Sequence, residues 1–111
     1  MANLNLNYKG FETYLIKRKT EVFDSIFRGK FEGVQYRFKF DNGYGASVIK
    51  QYGSYGYKED LWELAVIFFR NPDDPEDYEL TYNTPIARDV IGHLTDDRVR
   101  EILGKIKELP D

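Results

Sequence analysis

The clearest pattern of apolar and polar positions lies between residues 33 and 40, where the chain reads GVQYRFKF. The apolar members alternate strictly with polar ones, and they are Val34, Tyr36, Phe38 and Phe40. Strict alternation is typical of a strand with one buried face and one polar face. We therefore predict a half-buried strand here.

A hairpin is predicted directly after this strand. Asn42-Gly43 suits the two positive-φ positions of a type I′ turn, and YGASVIK would be the returning strand. On that register Phe40 faces Gly45, Phe38 faces Ser47 and Tyr36 faces Ile49. Large rings would then lie over small residues and leave room for another element to pack there.

Two further strands complete the expected sheet. LWELAVIFF, at residues 61–69, is almost wholly apolar, which indicates a central strand or a strand at a protein interface. NPDDPED, at 71–77, is a turn by its prolines and carboxylates, and YELTYN, at 78–83, alternates again. The fold class is therefore α+β, with a four-stranded antiparallel meander.

A C-terminal helix is expected to cover this sheet. Thr95 can cap it, and Asp96 and Asp97 suit its positive N-terminal end. Its apolar stripe has helical spacing and comprises Val99, Ile102, Leu103, Ile106 and Leu109. Before it, Thr84-Pro85 opens a short turn or helix that Gly92 can end.

The N-terminal segment is ambiguous. Leu4, Leu6 and Tyr8 alternate with asparagines, which permits a short edge strand. Residues 20–29 favour a short helix, with Val22, Phe23, Ile26 and Phe27 on one face. We predict a single domain over residues 1–111, in which 1–30 form a helical or strand extension and 31–111 the sheet-plus-helix core.

Composition excludes several kinds of chemistry. The 111 residues include no cysteine and one histidine, His93, so thiolate catalysis and cysteine-based metal sites are excluded. The carboxylates around Pro75 do not have the spacing of a calcium loop. No secretory signal or membrane span is expected. We expect neither an enzyme nor a cofactor or metal.

Binding is the more promising role. Tyr52, Tyr55 and Tyr57 lie on a glycine- and serine-containing loop, which resembles an antibody paratope in composition. The predicted partner-binding residues are these tyrosines, Trp62, and Asp73, Asp74 and Asp77 of the acidic turn. Trp62 fits the core equally well.

Two alternatives use other features. Residues 1–40 hold eight Lys/Arg against four Asp/Glu, whereas 41–111 hold eight against fifteen. The basic residues Lys17, Arg18, Lys19, Arg28, Lys30, Arg37 and Lys39 could follow a nucleic-acid backbone. Arg37 and Lys39 would share one polar strand face. The second alternative is a self-associating structural protein with LAVIFF at a dimer interface, so the oligomeric state stays open between monomer and homodimer.

Several motifs together resemble a group of small bacteriophage proteins. The chain carries NGYGAS, GSYG, LWELAV and TPIARDVIGHLT, followed by an amphipathic helix, and the likeness covers about residues 31–110. The resemblance implies phage origin and a role in the cytoplasm of the infected bacterium, but supplies no catalytic residues. By analogy with other small phage proteins, we expect a protein that binds and inhibits a host polymerase, nuclease or CRISPR effector.

Overall fold

The computed structural model describes residues 3–26 and 29–110. Its strands are β1 (Leu15–Ser25), β2 (Gly29–Lys39), β3 (Tyr44–Lys50), β4 (Trp62–Phe69), β5 (Tyr78–Leu80) and β6 (Ile91–Leu94), followed by helix α1 (Asp96–Lys107). Short 3₁₀ turns lie at Glu12–Tyr14 and Tyr57–Glu59. An antiparallel sheet with one C-terminal helix confirms the α+β class.

The sheet is larger than the four strands expected. It has six strands in the order β1-β2-β3-β4-β5, and β6 pairs with β4 beside β5. The additional strands are β1, from residues predicted to be partly helical, and β6, from residues predicted to be a turn or helix. The predicted fourth strand is present as β5 but is only three residues long.

The helix predicted over residues 20–29 is wrong. Residues from Leu15 to Ser25 instead pair antiparallel with β2, with Thr20 opposite Val34 and Val22 opposite Glu32. Thr20 and Val22 are β-branched and suit a strand, and the ladder with β2 outweighs a weak helical preference. Phe27, Arg28 and the side chain of Phe23 lie outside the described residues.

The N-terminal segment forms no strand between residues 3 and 10, contrary to the alternation of Leu4, Leu6 and Tyr8. It packs against the core without regular secondary structure, and Leu6 is 5% exposed. The Tyr36 hydroxyl donates to the Leu4 carbonyl at 2.8 Å and accepts from the Leu6 amide at 3.2 Å. The boundary predicted at residue 30 falls inside β2.

The hairpin between β2 and β3 is present, but its turn and register differ from the prediction. The Phe40 amide donates to the Tyr44 carbonyl at 2.8 Å, so the loop has three residues. Of these, Gly43 has a positive φ of 88°, which is typical of a type I turn followed by a glycine bulge. The extra residue moves the register by one, so Phe38 pairs with Ala46 and Arg37 with Ser47.

The core lies between α1 and one face of the sheet. Phe38, Val48 and Leu64 are fully buried on the sheet side, and Val99, Leu103 and Ile106 are fully buried on the helix. Thr95 caps α1 as predicted, because its hydroxyl accepts from the Arg98 amide at 3.2 Å. The predicted stripe is confirmed, with Leu109 half-buried at its end.

Part of the β1–β2 pair extends beyond the rest of the sheet. β3 pairs with β2 only from Val34 onward, so residues 21–25 and 29–33 form a two-stranded projection that we call the arm. The molecule is consequently elongated, with extents of 45 × 27 × 26 Å. Val22 on the arm is 63% exposed, and Ile26, the residue after β1, is 92% exposed.

Candidate partner-binding surface

The tyrosine loop, residues 51–60, connects β3 to β4. Gly53 and Gly56 have φ values of 90° and 100°, a conformation that side-chain-bearing residues rarely adopt. The Ser54 hydroxyl donates to the Gln51 carbonyl at 2.8 Å and accepts from the Gln51 amide at 3.1 Å. These local bonds fold the segment into consecutive tight turns that project its tyrosines outward.

Four rings form what we call the aromatic surface: Phe31, Tyr52, Tyr55 and Tyr57. Phe31, on the arm, stacks on Tyr52 with ring centroids 4.7 Å apart and an interplanar angle of 25°. Tyr57 meets Phe31 edge-on at 6.4 Å. Tyr55 is 61% exposed and Tyr52 is 40% exposed. The arm and the tyrosine loop thus build one surface together.

Grooves adjoin this surface on two sides. One, of about 410 Å³, runs along the tyrosine loop past Phe31 and His93. The other, of about 620 Å³, lies between the arm and the Tyr57–Glu59 turn and is lined by Val22, Lys30, Glu32, Lys58 and Asp60 among others. Apolar surface bordered by mixed charges is a common arrangement at protein interfaces.

Strand β6 holds the tyrosine loop in place. A Cβ atom on Gly92 would lie only 2.4 Å from the Tyr55 Cβ, so the loop packs directly on the glycine. The His93 amide donates to the Tyr55 carbonyl at 3.3 Å, and the Glu63 carboxylate accepts from the Tyr55 amide at 3.0 Å. The exposed Tyr55 ring therefore stands on a backbone that is fixed from both sides.

A buried lysine fastens the other end of the loop. Lys50 is 2% exposed, and its Nζ lies 2.8 Å from the Asn3 carbonyl, 3.0 Å from Asp60 Oδ1 and 4.2 Å from the centre of the Trp62 ring. Burial alone would raise the pKa of Asp60, but hydrogen bonds from Lys50 and the Asn3 amide outweigh it and lower that pKa. The ionised carboxylate thus joins the loop, β3 and the N-terminal segment.

Trp62 belongs to the core, which decides between its two predicted roles. It is 1% exposed, and its indole N–H donates to Asp96 Oδ1 at 2.7 Å. Tyr36 packs against it edge-on at 5.7 Å. Trp62 is therefore not available to a partner, contrary to its place in the predicted site.

The acidic loop, residues 70–77, folds back over the sheet face that carries Arg37. Glu76 lies 3.1 Å from Arg37 and 2.8 Å from Lys17. Hydrogen bonds from Lys17 and then Arg37 lower the pKa of Glu76 below its ordinary value. One carboxylate of the acidic loop is thus shared by two of the basic side chains.

This packing removes the predicted basic strand face. Arg37 is 4% exposed and stacks on Tyr78 at 4.4 Å from the ring centre. Lys39 donates to the Pro72 carbonyl. Arg37 and Lys39 both point into the underside of the acidic loop, so they do not form an exposed track for a nucleic-acid backbone.

The predicted aspartates lie far from the tyrosines. Asp73 and Asp74 are exposed, and Asp77 accepts from Arg70 at 2.8 Å. The tyrosine loop precedes β4 and the acidic loop follows it. Because β4 has eight residues, the two loops lie at opposite ends of a strand roughly 23 Å long. The structure does not bring the two loops together into one site.

Sequence reasoning missed Phe31 and the β6 residues Gly92 and His93. Phe31 precedes the alternating stretch, and only its pairing within the arm places it beside Tyr52. His93 is exposed with a φ of 56°, and its Nε2 lies 3.9 Å from Glu59. The positive φ of His93 is unusual for a non-glycine residue, and it can be seen only in the backbone of the structure and not in the sequence.

LAVIFF lies in β4, an internal strand of the sheet. β4 pairs with β3 on one side and with β5 and β6 on the other. Leu64, Ala65, Val66 and Ile67 are all buried within the chain. The burial of these side chains within the chain disfavours a dimer contact at this segment.

Within residues 3–26 and 29–110, no group of three or more histidine and carboxylate side chains is arranged to hold a metal ion. Over the same ranges, no helix has the length and apolar content to span a bilayer. Comparisons with protein-family models, curated proteins and solved structures find no match to this chain. The resemblance to small phage proteins consequently stays a prediction.

Proposed function

We propose that this chain is a non-enzymatic binding protein that uses the aromatic surface to engage a bacterial host protein. The observation that carries the proposal is the exposure of Tyr52 and Tyr55 on a loop whose backbone is fixed by β6 and Glu63. Rigid, exposed tyrosines provide large contact area at small entropic cost, as in paratopes and interface hot spots.

The kind of partner follows from the phage-like motifs. We propose that the chain acts in the cytoplasm of an infected bacterium and inhibits a defence nuclease, such as a CRISPR effector, or a polymerase. Occupying a functional surface on such a target requires affinity but no chemistry. Binding to nucleic acid through Arg37 and Lys39 is disfavoured because both are engaged beneath the acidic loop.

The test is affinity capture from nuclease-treated bacterial lysate, followed by calorimetry with the purified partner. We expect Tyr55→Ala to weaken binding about 30-fold, since truncating an interface hot spot costs about 2 kcal/mol. Tyr82→Ala is the matched control, because Tyr82 is 43% exposed but is not part of the aromatic surface. The purified chain should also inhibit the partner's activity.

Two results would count against the proposal. One is a partner that binds wild type, Tyr52→Ala and Tyr55→Ala equally well. The other is recovery of nucleic acid, without a stoichiometric protein, when nuclease is omitted.

A further inference from the structure

The two edges of the sheet differ in how they are covered. On the far side, β5 and β6 both pair with β4. On the near side, β1 is the last strand, and no strand among residues 3–26 and 29–110 pairs with its outer edge. An eleven-residue edge of this kind offers a row of backbone donors and acceptors to another strand.

The side chains of Lys17 and Arg18 do not cover the backbone groups on the outer edge of β1. Lys17 reaches over one face of the sheet to Glu76 at 2.8 Å, and Arg18 reaches over the other face to the Tyr36 hydroxyl at 2.9 Å. Both side chains thus lie above and below the sheet instead of across its edge.

Charge is distributed unevenly along β1. Its first half carries Lys17, Arg18 and Lys19, and its second half carries Glu21 and Asp24. Lysines on an edge strand usually discourage pairing with other chains. In β1 the two halves have opposite charge, so a second copy of β1 running antiparallel would place its acidic half beside the basic half of the first.

We propose that β1 pairs antiparallel with β1 of a second copy, about a two-fold axis at Thr20. With the axis at Thr20, Lys19 faces Glu21 of the second copy, and the symmetry repeats this pair. Lys19 also lies 2.6 Å from Glu21 of its own strand, so the dimer would set these two ion pairs side by side. The aliphatic stem of Arg18 lies opposite Val22 of the second copy and covers part of a side chain that is 63% exposed.

Charge selects this register over its neighbours. A two-fold axis perpendicular to the sheet must lie midway between one residue and the same residue of the second copy. Moving it one position earlier sets Lys19 against Lys19, and one position later sets Glu21 against Glu21. Like charges directly opposite each other destabilise a strand pair. The Thr20 register alone of these three has no like-charged pair at its centre.

The pairing would join two six-stranded sheets into one continuous sheet. Phe31 lies on β2, and the tyrosine loop lies beyond it, so both aromatic surfaces stay on the sides of the arms that face away from the contact. The dimer therefore does not depend on the proposed function, and either can fail alone.

The first test is sedimentation velocity of the full chain from low micromolar to submillimolar concentration. We expect a monomer–dimer equilibrium for wild type. Lys19→Glu or Glu21→Lys should each raise the dimer dissociation constant about tenfold, because each reverses two cross-strand pairs. Mixing the two variants should restore association, because the Lys19→Glu chain then has glutamate and the Glu21→Lys chain has lysine at both positions, so each cross-strand pair joins opposite charges.

The matched controls lie on α1, where Arg98 and Glu101 form an exposed pair at 2.7 Å. Arg98→Glu and Glu101→Lys make the same charge changes and should leave the wild-type equilibrium unaltered. A wild-type chain that stays monomeric at every concentration would overturn the proposal. So would equal effects from the α1 pair.

The second test uses cross-linking, since the chain has no cysteine of its own. Opposed residues in antiparallel strands have Cα atoms about 4.5–5.5 Å apart, within the range for a disulfide. Thr20→Cys should therefore form a covalent dimer under mild oxidation much faster than Glu101→Cys. Equal rates for the two variants would show that Thr20 is not at the axis.

Discussion

The bond between Trp62 and Asp96 connects the sheet to the start of α1, and its contribution to stability can be worked out. Asp96 Oδ1 accepts from the buried indole N–H at 2.7 Å, and Oδ2 accepts from the Asn7 amide at 3.1 Å. Asp96→Ala leaves the indole donor buried without a partner, which costs about 1.5–3 kcal/mol for a bond to a charged group. Losing a carboxylate from the first helical turn costs about 0.3–1 kcal/mol more.

We therefore expect Asp96→Ala to lower the free energy of unfolding by about 2–4 kcal/mol. Asp97→Ala is the matched control, because Asp97 is the next residue in the same turn but its side chain is 87% exposed. It should cost less, about 0.3–2 kcal/mol, since it loses only the interaction with the helix dipole and a surface pair with Arg100. Asp96→Asn keeps an acceptor without its charge and should fall between them.

Urea denaturation followed by the fluorescence of the single tryptophan measures all three variants. In thermal melts, each kcal/mol should appear as a fall in Tm of about 3–6 °C for a chain of this size. Equal destabilisation by Asp96→Ala and Asp97→Ala would refute the reasoning. It would mean that only the helix dipole, and not the indole bond, matters at this end of α1.

Two other predictions concern stability. Gly45→Ala should destabilise the protein by about 2 kcal/mol or more, because the new Cβ would lie 2.0 Å from the Phe38 carbonyl oxygen. Gly104→Ala should instead stabilise α1 by about 0.5–1 kcal/mol, because its Cβ would meet only Phe11, at 3.9 Å. Chemical denaturation measures both variants, and a destabilised Gly104→Ala would contradict the geometry. The pKa of Glu76 is lowered on folding, so its contribution is present above the unfolded value of about 4.3 and is lost as pH falls through the folded value. The stability gap between wild type and Glu76→Gln should therefore close in acid, and a gap that is constant from neutral pH down to pH ~3 would refute the role of this carboxylate.

The sequence predicts those parts of the fold that have a strong local signal. The alternation of residues 33–40, the apolar run that became β4, and the Thr95 cap with its apolar stripe all identify elements that the structure contains. Each has a pattern that only one kind of element satisfies. The α+β class follows from them.

The errors arise where a distant residue decides the local structure. Between residues 20 and 29 the spacing of Val22 and Ile26 fits a helix, but the pairing of β1 with β2 determines the outcome. The Asn-Gly pair predicts a positive-φ turn residue at Asn42, yet the Asn42 side-chain amide donates to the Ile106 and Leu109 carbonyls at 2.9 Å and so caps the end of α1. Nothing local indicates a partner more than sixty residues away.

The candidate site was predicted only in part. The tyrosines are exposed as their loop composition suggests, but the roles of Trp62 and Arg37 depend on what covers them. Trp62 lies under Asp96, and Arg37 lies under Glu76. Such burial depends on contacts made by the assembled fold and cannot be predicted from the type of residue.

The N-terminal segment and α1 contact each other although they lie near opposite ends of the sequence. The Asn7 amide donates to Asp96, and Arg100 donates to the Asn7 carbonyl at 2.8 Å. During synthesis the strands leave the ribosome before α1 does, so the apolar face around Phe38 and Val48 has no cover until the helix emerges. A nascent chain paused before residue 96 would expose that face and should need a chaperone to avoid aggregation.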